Sequence, residues 1–339
     1  MQIHRSDTEP FVIAVRDGAD RVVAIAPWSL EHRPERLGKR HVTGIGGGDG
    51  WYHDPLGGDA ATSAAIVGCL KTHRALWDTL RLRIRPDRSR SLVAQLRQLG
   101  LMVEQQSVEC HHRLIDLSAG WEAYWQELPS SLRRNLRSAE RKLQSLPHRF
   151  LEIDAAHAEP WLDVLFRMHQ DRWTTEQDQE AFYAMKGPDS WLTFYAFLRA
   201  MVTQVLPEGP ACLYALEIQG RPAAIDLVLP YGTCAYGTLR AYDPEFRPLS
   251  AGHLLNNWEF QRLNAQGIET IDLGSGLYPY KERLRNALQE AIHVEIASGL
   301  RGTLHGGWHG HLKPWLVQQP AWNTLNTLMR RRPTAPQPS

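Results

Sequence analysis

Two short β-prone apolar runs, Phe11–Val15 and Val22–Ala26, flank Arg16-Asp17-Gly18-Ala19-Asp20 near the start of the chain. Asp-Gly between such runs signals a hairpin. A glycine-rich stretch from Gly44 to Gly50 follows, then a helical pattern over residues 62–73 and an alternating strand at Leu80–Ile84. Leu92, Leu96 and Leu99 fall on one face of a helix, with Gly100 as its C-cap. Strands are expected near 101–104 and 112–115. From Trp121 to Leu146 the pattern is polar and helical, interrupted at Pro129. Its second part is strongly basic, and Ser130 or Ser131 is placed to N-cap it.

The third region predicts a strand over 150–153 and a helix carrying Trp161, Val164, Leu165 and Met168 at i, i+3, i+4 and i+7. A helix over 191–205 precedes three strands in quick succession, 212–218, 223–229 and 234–241. The middle one is nearly all apolar, as a strand covered on both faces should be. A loop over 242–250 leads to a helix with Ala251, Leu254, Leu255 and Trp258 on one face, capped at Gly267. A strand over 268–273, a helix over 280–287, a strand over 292–297 and a last helix over 312–330 complete the pattern. The first region repeats a similar element order with weaker strands. The expectation is an α/β chain of two tandem lobes: 1–117, linking helices 118–147, 148–332, and a disordered tail 333–339.

Composition narrows the partners. The 38 Lys+Arg against 37 Asp+Glu give no whole-molecule field to draw in DNA or an anionic membrane, although a local basic patch remains open. The four cysteines form no CxxC, which suits a reducing compartment. The polar start is no signal peptide, and no window is apolar enough to span a bilayer, so a cytoplasmic protein without a membrane span is expected. His305, His309 and His311 lie in a glycine-rich run with no carboxylate or cysteine nearby, so no metal is expected.

Two stretches concentrate candidate chemistry. Arg247-Pro-Leu-Ser-Ala-Gly252 lies between a strand and an amphipathic helix, where backbone amides and the helix dipole can cradle a pyrophosphate. Its spacing resembles the R-x-x-G-x-G/A signature of GNAT acyltransferases, with Ser250 in place of the first glycine. An ordinary loop with a helix cap is the competing reading. The other stretch is Ile271-Asp272-Leu273-Gly274-Ser275-Gly276 with Tyr280-Lys281, which puts an acid, a phenol and an amine at one sheet edge. A capped strand–helix turn is the plainer account of it.

Together with Trp121-Glu-Ala-Tyr124, Leu132-Arg-Arg-Asn-Leu-Arg137 and Ala241-Tyr-Asp-Pro-Glu245, these motifs resemble the GNAT-related CelD/BcsL-type acetyltransferases over roughly residues 10–300. Those are relatives of the Fem-type peptidyltransferases. Where the family has proline before the glycine, this chain has Ala251. The resemblance implies two GNAT-like lobes, each a mixed, mostly antiparallel sheet flanked by helices, joined by the basic helix. It implies transfer from acetyl-CoA or another acyl-CoA to a small-molecule amine or hydroxyl, such as a sugar nucleotide or polysaccharide precursor. Residues 239–241 (Leu239, Arg240, Ala241), Arg247, Ser250, Ala251, Gly252 and His253 would hold the donor, with amides near Leu239–Ala241 facing the oxyanion. Asp272, or alternatively Asp226, would take the acceptor's proton, and Tyr280 would return one to the thiolate. Lys281 would hold a phosphate or pair with Asp272. Arg133, Arg134 and Arg137 would meet an anionic acceptor, although a solvated helix face explains them as well. Two rival functions stay open: an aminoacyl-tRNA-dependent Fem-type transferase, for which tRNA would be a partner, and a non-catalytic double lobe that binds a glycan or a protein.

Overall fold

The computed structural model describes residues 8–33, 39–45, 52–99, 101–105, 111–175, 192–205 and 213–297. Most of the Gly44–Gly50 stretch, Gly100, Cys110, Cys212, His305, His309, His311, the helix expected over 312–330 and the tail lie outside them. Asp17 makes the first hairpin turn: its Oδ1 accepts from the amides of Ala19 and Arg21 at 2.9 and 3.0 Å, and Asp20 takes positive φ. The strands it joins are longer than their apolar runs, β1 Thr8–Arg16 and β2 Val22–Arg33. Then come β3 Lys39–Gly44, the short β4 Leu56–Gly57, α1 Ala60–Thr72, β5 Thr79–Ile84, α2 Arg90–Leu96, β6 Leu101–Gln105 and β7 His112–Asp116.

The basic region folds as α3 Trp121–Glu127 and α4 Ser130–Leu143. Neither expected serine caps α4: Pro129 holds the cap position with no side-chain bond, and Ser130 is already helical. β8 His148–Ile153 and α5 Ala158–Thr175 precede α6 over 192–200, which ends in a π turn at Met201–Val205. β9 Leu213–Ile218, β10 Arg221–Tyr231 and β11 Cys234–Tyr242 form the antiparallel run. α7 Ala251–Ala265, β12 Thr270–Asp272, α8 Pro279–Leu284, β13 Ala287–Gln289 and β14 Ile292–Ala297 follow. The helix expected over 280–287 stops at Leu284. Asn286 is pulled away to β7, where its Oδ1 accepts from the Asp116 amide at 2.8 Å, and 287–289 pair with β7 as a strand.

Two seven-stranded mixed sheets result, each flanked by helices. One has the order β1-β2-β3-β5-β14-β6, with β4 on β2; the other runs β13-β7-β12-β11-β10-β9-β8. Each is antiparallel except for one parallel pair, β3 with β5 and β11 with β12. The chain divides into a unit of 108–290 and a unit of 6–107 with 291–339. This differs from the boundaries expected at 117 and 147. β14 joins the first sheet because alternate residues Ile292, Val294 and Ile296 fill its core. The basic helix is no free linker: Leu132, Leu136, Ala139 and Leu143 bury its apolar stripe in the core of the 108–290 unit. Asn264 fastens that unit, accepting from the Trp121 amide and donating to the carbonyls of Leu117 and Ile268.

The parallel pairs end differently in the two sheets. β3 and β5 pair at His41–Thr79 and Val42–Leu80. Beyond that, residue 53 lies against β5: the His53 amide donates to the Arg83 carbonyl at 2.7 Å, and its Nδ1 accepts from the Arg83 amide at 3.0 Å. A Cβ on Gly44 would lie 2.1 Å from the His53 ring, so that gap is filled. β11 and β12 pair at three positions ending with Tyr236–Asp272, and β11 then runs on without β12 to Tyr242.

Candidate active site

The divergence of β11 from β12 opens one side of the 108–290 unit. A bulge falls between Leu227 and Val228, so β10 pairs Val228 with Gly237 but Leu227 with Leu239, and Thr238 is the extra residue. After the bulge, Arg240 and Tyr242 face α7, while Leu239 and Ala241 pack into the core beneath α5.

Asp243 starts the turn that follows, with its carboxylate accepting from the Glu245 amide at 2.9 Å. The turn closes at Ser250, which has left-handed φ 55° and ψ 39° and caps α7 without a side-chain hydrogen bond. The first amides of α7 therefore stand without a helical partner or a side-chain cap, at the positive end of a 15-residue helix. A left-handed residue with a Cβ carries strain of about 1–2 kcal/mol, which exceeds the roughly 0.5–1 kcal/mol that glycine loses through its freedom in the unfolded chain. Ser250→Gly is thus expected to gain up to about 1 kcal/mol and raise the melting temperature by about 2–4 °C. A lower melting temperature would contradict this backbone reading.

A cavity of about 430 Å³ sits over this turn. β11 and the turn line it with Arg240, Tyr242, Arg247 and Ser250. α7 adds Ala251, Gly252, His253 and Asn256; α8 adds Tyr280 and Arg283; the apolar side of α4 adds Leu132, Asn135 and Leu136. A Cβ on Gly252 would touch the Tyr242 ring at 3.7 Å, an ordinary contact. Of the expected donor residues, Arg240, Arg247, Ser250, Ala251, Gly252 and His253 come together here, and the side chains of Leu239 and Ala241 do not.

Behind the cavity lies a buried polar cluster. Asp226 and Glu259 are fully buried, and Arg240 donates its Nε to Asp226 at 2.5 Å across the β10–β11 pair. Burial drives the Glu259 carboxyl well above its ordinary pKa. The nearby charge of Asp226 raises it further. Burial opposes the Arg240 charge, but the surrounding negative charge, that of Asp226 foremost, together holds the guanidinium above the ordinary arginine value. Burial, with Arg240 and Arg283, lowers the His253 pKa, so its ring is neutral at physiological pH. Its Nδ1 and the Asn256 Oδ1 are buried with no partner among the described residues.

The other expected catalytic residues divide. Tyr280 lines the cavity and lies under the Arg240 guanidinium, 5.7 Å from ring centre to Cζ. Asp272 is 3% exposed and does not reach the cavity. Its oxygens lie 2.9 Å from His112 Nδ1, and one accepts from the Gly274 amide at 2.7 Å. Lys281 is 7% exposed and donates to the Ser275 carbonyl at 2.7 Å. Burial and Arg240, partly offset by Asp272, pull its pKa down to about 8. Lys281 and Asp272 thus brace the loop between β12 and α8 from inside. On α4, Arg133 donates to Gln126, Arg137 packs on the Trp125 ring and Arg134 is exposed. None of the three lines the cavity.

Asp226 stood out in the sequence as the one charge in the apolar run of β10. Glu259 interrupts the polar rhythm of α7 beside Trp258, but its partner is fixed only by the hairpin register. His112 and Arg283 carried no sequence signal. Among the described residues no cluster of three or more His, Cys, Asp or Glu is placed to hold a metal ion, and no helix is long and apolar enough to cross a membrane.

Residues 130–282, the larger part of the 108–290 unit, match the family model of the acetyltransferase (GNAT) domain. No curated protein matches the sequence. Among solved structures, the chain is similar to the C-terminal domain of a putative lysylphosphatidylglycerol synthetase from Agrobacterium fabrum. The TM-score is 0.54 at 14% identity, covering 88% of this chain and 86% of that one. FemX gives a TM-score of 0.54 at 13% identity, covering 88% and 90%. L-PGS from Bacillus licheniformis gives 0.53 at 13% identity, covering 88% and 87%. At such identities the likeness concerns the fold, and it runs through both sheets.

Proposed function

We propose that the chain is an acyltransferase of the CelD/BcsL type that takes an acyl group from acyl-CoA and passes it to an amine or hydroxyl. The observation that carries this reading is the cavity formed where β11 leaves β12, closed by the uncapped start of α7. A pyrophosphate fits the free amides of Ala251, Gly252 and His253 beside Arg247. The pantetheine arm fits along β11 between Gly237 and Tyr242, where the backbone has no β12 partner and its amides can face the thioester oxyanion. His253 is the neutral base with an unpartnered ring nitrogen in the cavity, and it takes the acceptor's proton as the nucleophile attacks. Tyr280 returns a proton to the leaving thiolate. Asp272 and Lys281 serve by holding the loop that presents Tyr280. The acceptors to assay first are sugar nucleotides and polysaccharide precursors. The reading places the reaction in the cytoplasm, where the free thiols Cys69 and Cys234 stay reduced.

Gly252→Val tests it. At this cavity-lining position the added Cβ meets the Tyr242 side chain at 3.7 Å, with no backbone atom among its nearest contacts. Its expected effect is a fold that melts normally and an acetyl-CoA affinity weakened by roughly tenfold or more. A folded variant that binds acetyl-CoA as tightly as the parent overturns the reading.

The exposed cationic face of α4, with Arg134, Arg137, Arg141 and Lys142, favours a second reading in which the acyl donor is an aminoacyl-tRNA. The same titration separates them: salt-dependent tRNA binding with no acetyl-CoA binding would select it.

A further inference from the structure

We infer that the inner part of this cavity binds a second anionic group, a carboxylate or phosphate on the substrate, through Arg240 and Arg283. This rests on the donor reading above, because it treats the pyrophosphate as already placed at Arg247 and the start of α7.

The guanidinium of Arg240 is only partly used by the fold. Its Nε is held by Asp226, but its Nη1 is buried and has no partner among the described residues. A bare buried donor on a charged group is costly and calls for a partner. The carboxyl pair behind it explains why the protein does not supply one. Two ionised carboxylates would neutralise Arg240 twice over and make the wall of the cavity negative. Glu259 is kept protonated, so Asp226 alone balances Arg240. The sign of the cavity is then set by Arg283 and Arg247, neither of which forms an ion pair among the described residues.

Among the described residues no carboxylate lines the cavity. The whole chain has a net charge of +1, so three arginines around one small cavity do not follow from composition. The Arg240 side chain is only 16% exposed, so its attraction for an anion is screened less than that of a surface charge. The guanidinium fork matches the paired oxygens of a carboxylate or phosphate. Arg240 is held in place by Asp226 on one side and the Tyr280 ring on the other. Such an anion can sit at the far end of the donor's acyl chain or beside the nucleophile of the acceptor.

The test is calorimetric titration of the full-length protein, loaded with CoA, with succinate and with inorganic phosphate. Arg240→Gln alone would strand the Asp226 charge. The variants are therefore Arg283→Gln, at an exposed residue, and the double change Asp226→Asn with Arg240→Gln, which removes both charges together. The loaded parent should bind one of the two anions. Arg283→Gln should weaken that binding roughly tenfold and the double variant more, while CoA affinity changes less than about threefold. Succinyl-CoA binding about tenfold tighter than acetyl-CoA would assign the anion to the acyl chain. Equal binding of the two esters would assign it to the acceptor. No anion binding by the loaded parent, or anion affinity unchanged in both variants, overturns the inference. So does a loss of CoA affinity that parallels the loss of anion affinity, which would give these arginines to the donor's own phosphates. The anion titrations are repeated without CoA, so a failure of CoA to bind rejects the donor reading and still leaves the arginine site measured.

Discussion

Arg240→Met is expected to lower the stability of the 108–290 unit by about 3–5 kcal/mol, because it leaves the Asp226 carboxylate, 0% exposed, without its counter-charge. Glu259→Gln is expected to change stability by less than about 1 kcal/mol, since an amide is close in shape and polarity to the neutral acid it replaces. Chemical denaturation of the two variants measures both. The contrast matters more than either value. If Glu259→Gln were as damaging as Arg240→Met, Glu259 would be ionised, and the charge balance drawn for the cluster would be reversed.

Asp272→Asn carries the second large effect. The carboxylate receives the Gly274 amide and the His112 ring at once, with almost no access to water. An amide in its place must turn an N–H towards one of those donors. The loss of a charged, buried hydrogen-bond set is worth about 3 kcal/mol, or roughly 6–12 °C in melting temperature for a domain of this size. A structural Asp272 predicts that melting temperature, acetyl-CoA affinity and kcat all fall together, because the loop carrying Tyr280 is released. A catalytic Asp272 predicts an unchanged melting temperature and donor affinity with kcat abolished. A stable, active variant would exclude both roles.

Local chemistry made much of this architecture readable from residues alone. The Asp-Gly turn after β1, the apolar run of β10 and the i, i+3, i+4, i+7 stripe of α5 each depend on neighbours a few positions away, and each element formed where expected. The Arg247–Gly252 turn was legible for the same reason, since a helix start is specified by the residues at its cap. What was hidden depends on partners far along the chain. Asp272 reads as a candidate base until His112, 160 residues earlier, is brought beside it by β7. Arg240 reads as a donor-holding residue of the strand until the bulge at Thr238 sets it opposite Asp226. α4 reads as a linker because its exposed arginines dominate its composition, whereas four buried apolar side chains decide where it packs. Ala287 reads as the end of the helix that starts at Tyr280, yet the edge of β7 and the side chain of Asn286 draw 287–289 into a sheet.

The gap filled by His53 in the first sheet and the open one along β11 in the second make the central claim specific: one donor site, in the 108–290 unit. Amide hydrogen exchange followed by mass spectrometry, with and without saturating acetyl-CoA, tests it most directly. Protection is expected in peptides covering 237–242 and 250–254, with no change across 39–57 or 79–84. Protection confined to 39–57 and 79–84, or none anywhere at saturation, would contradict the account.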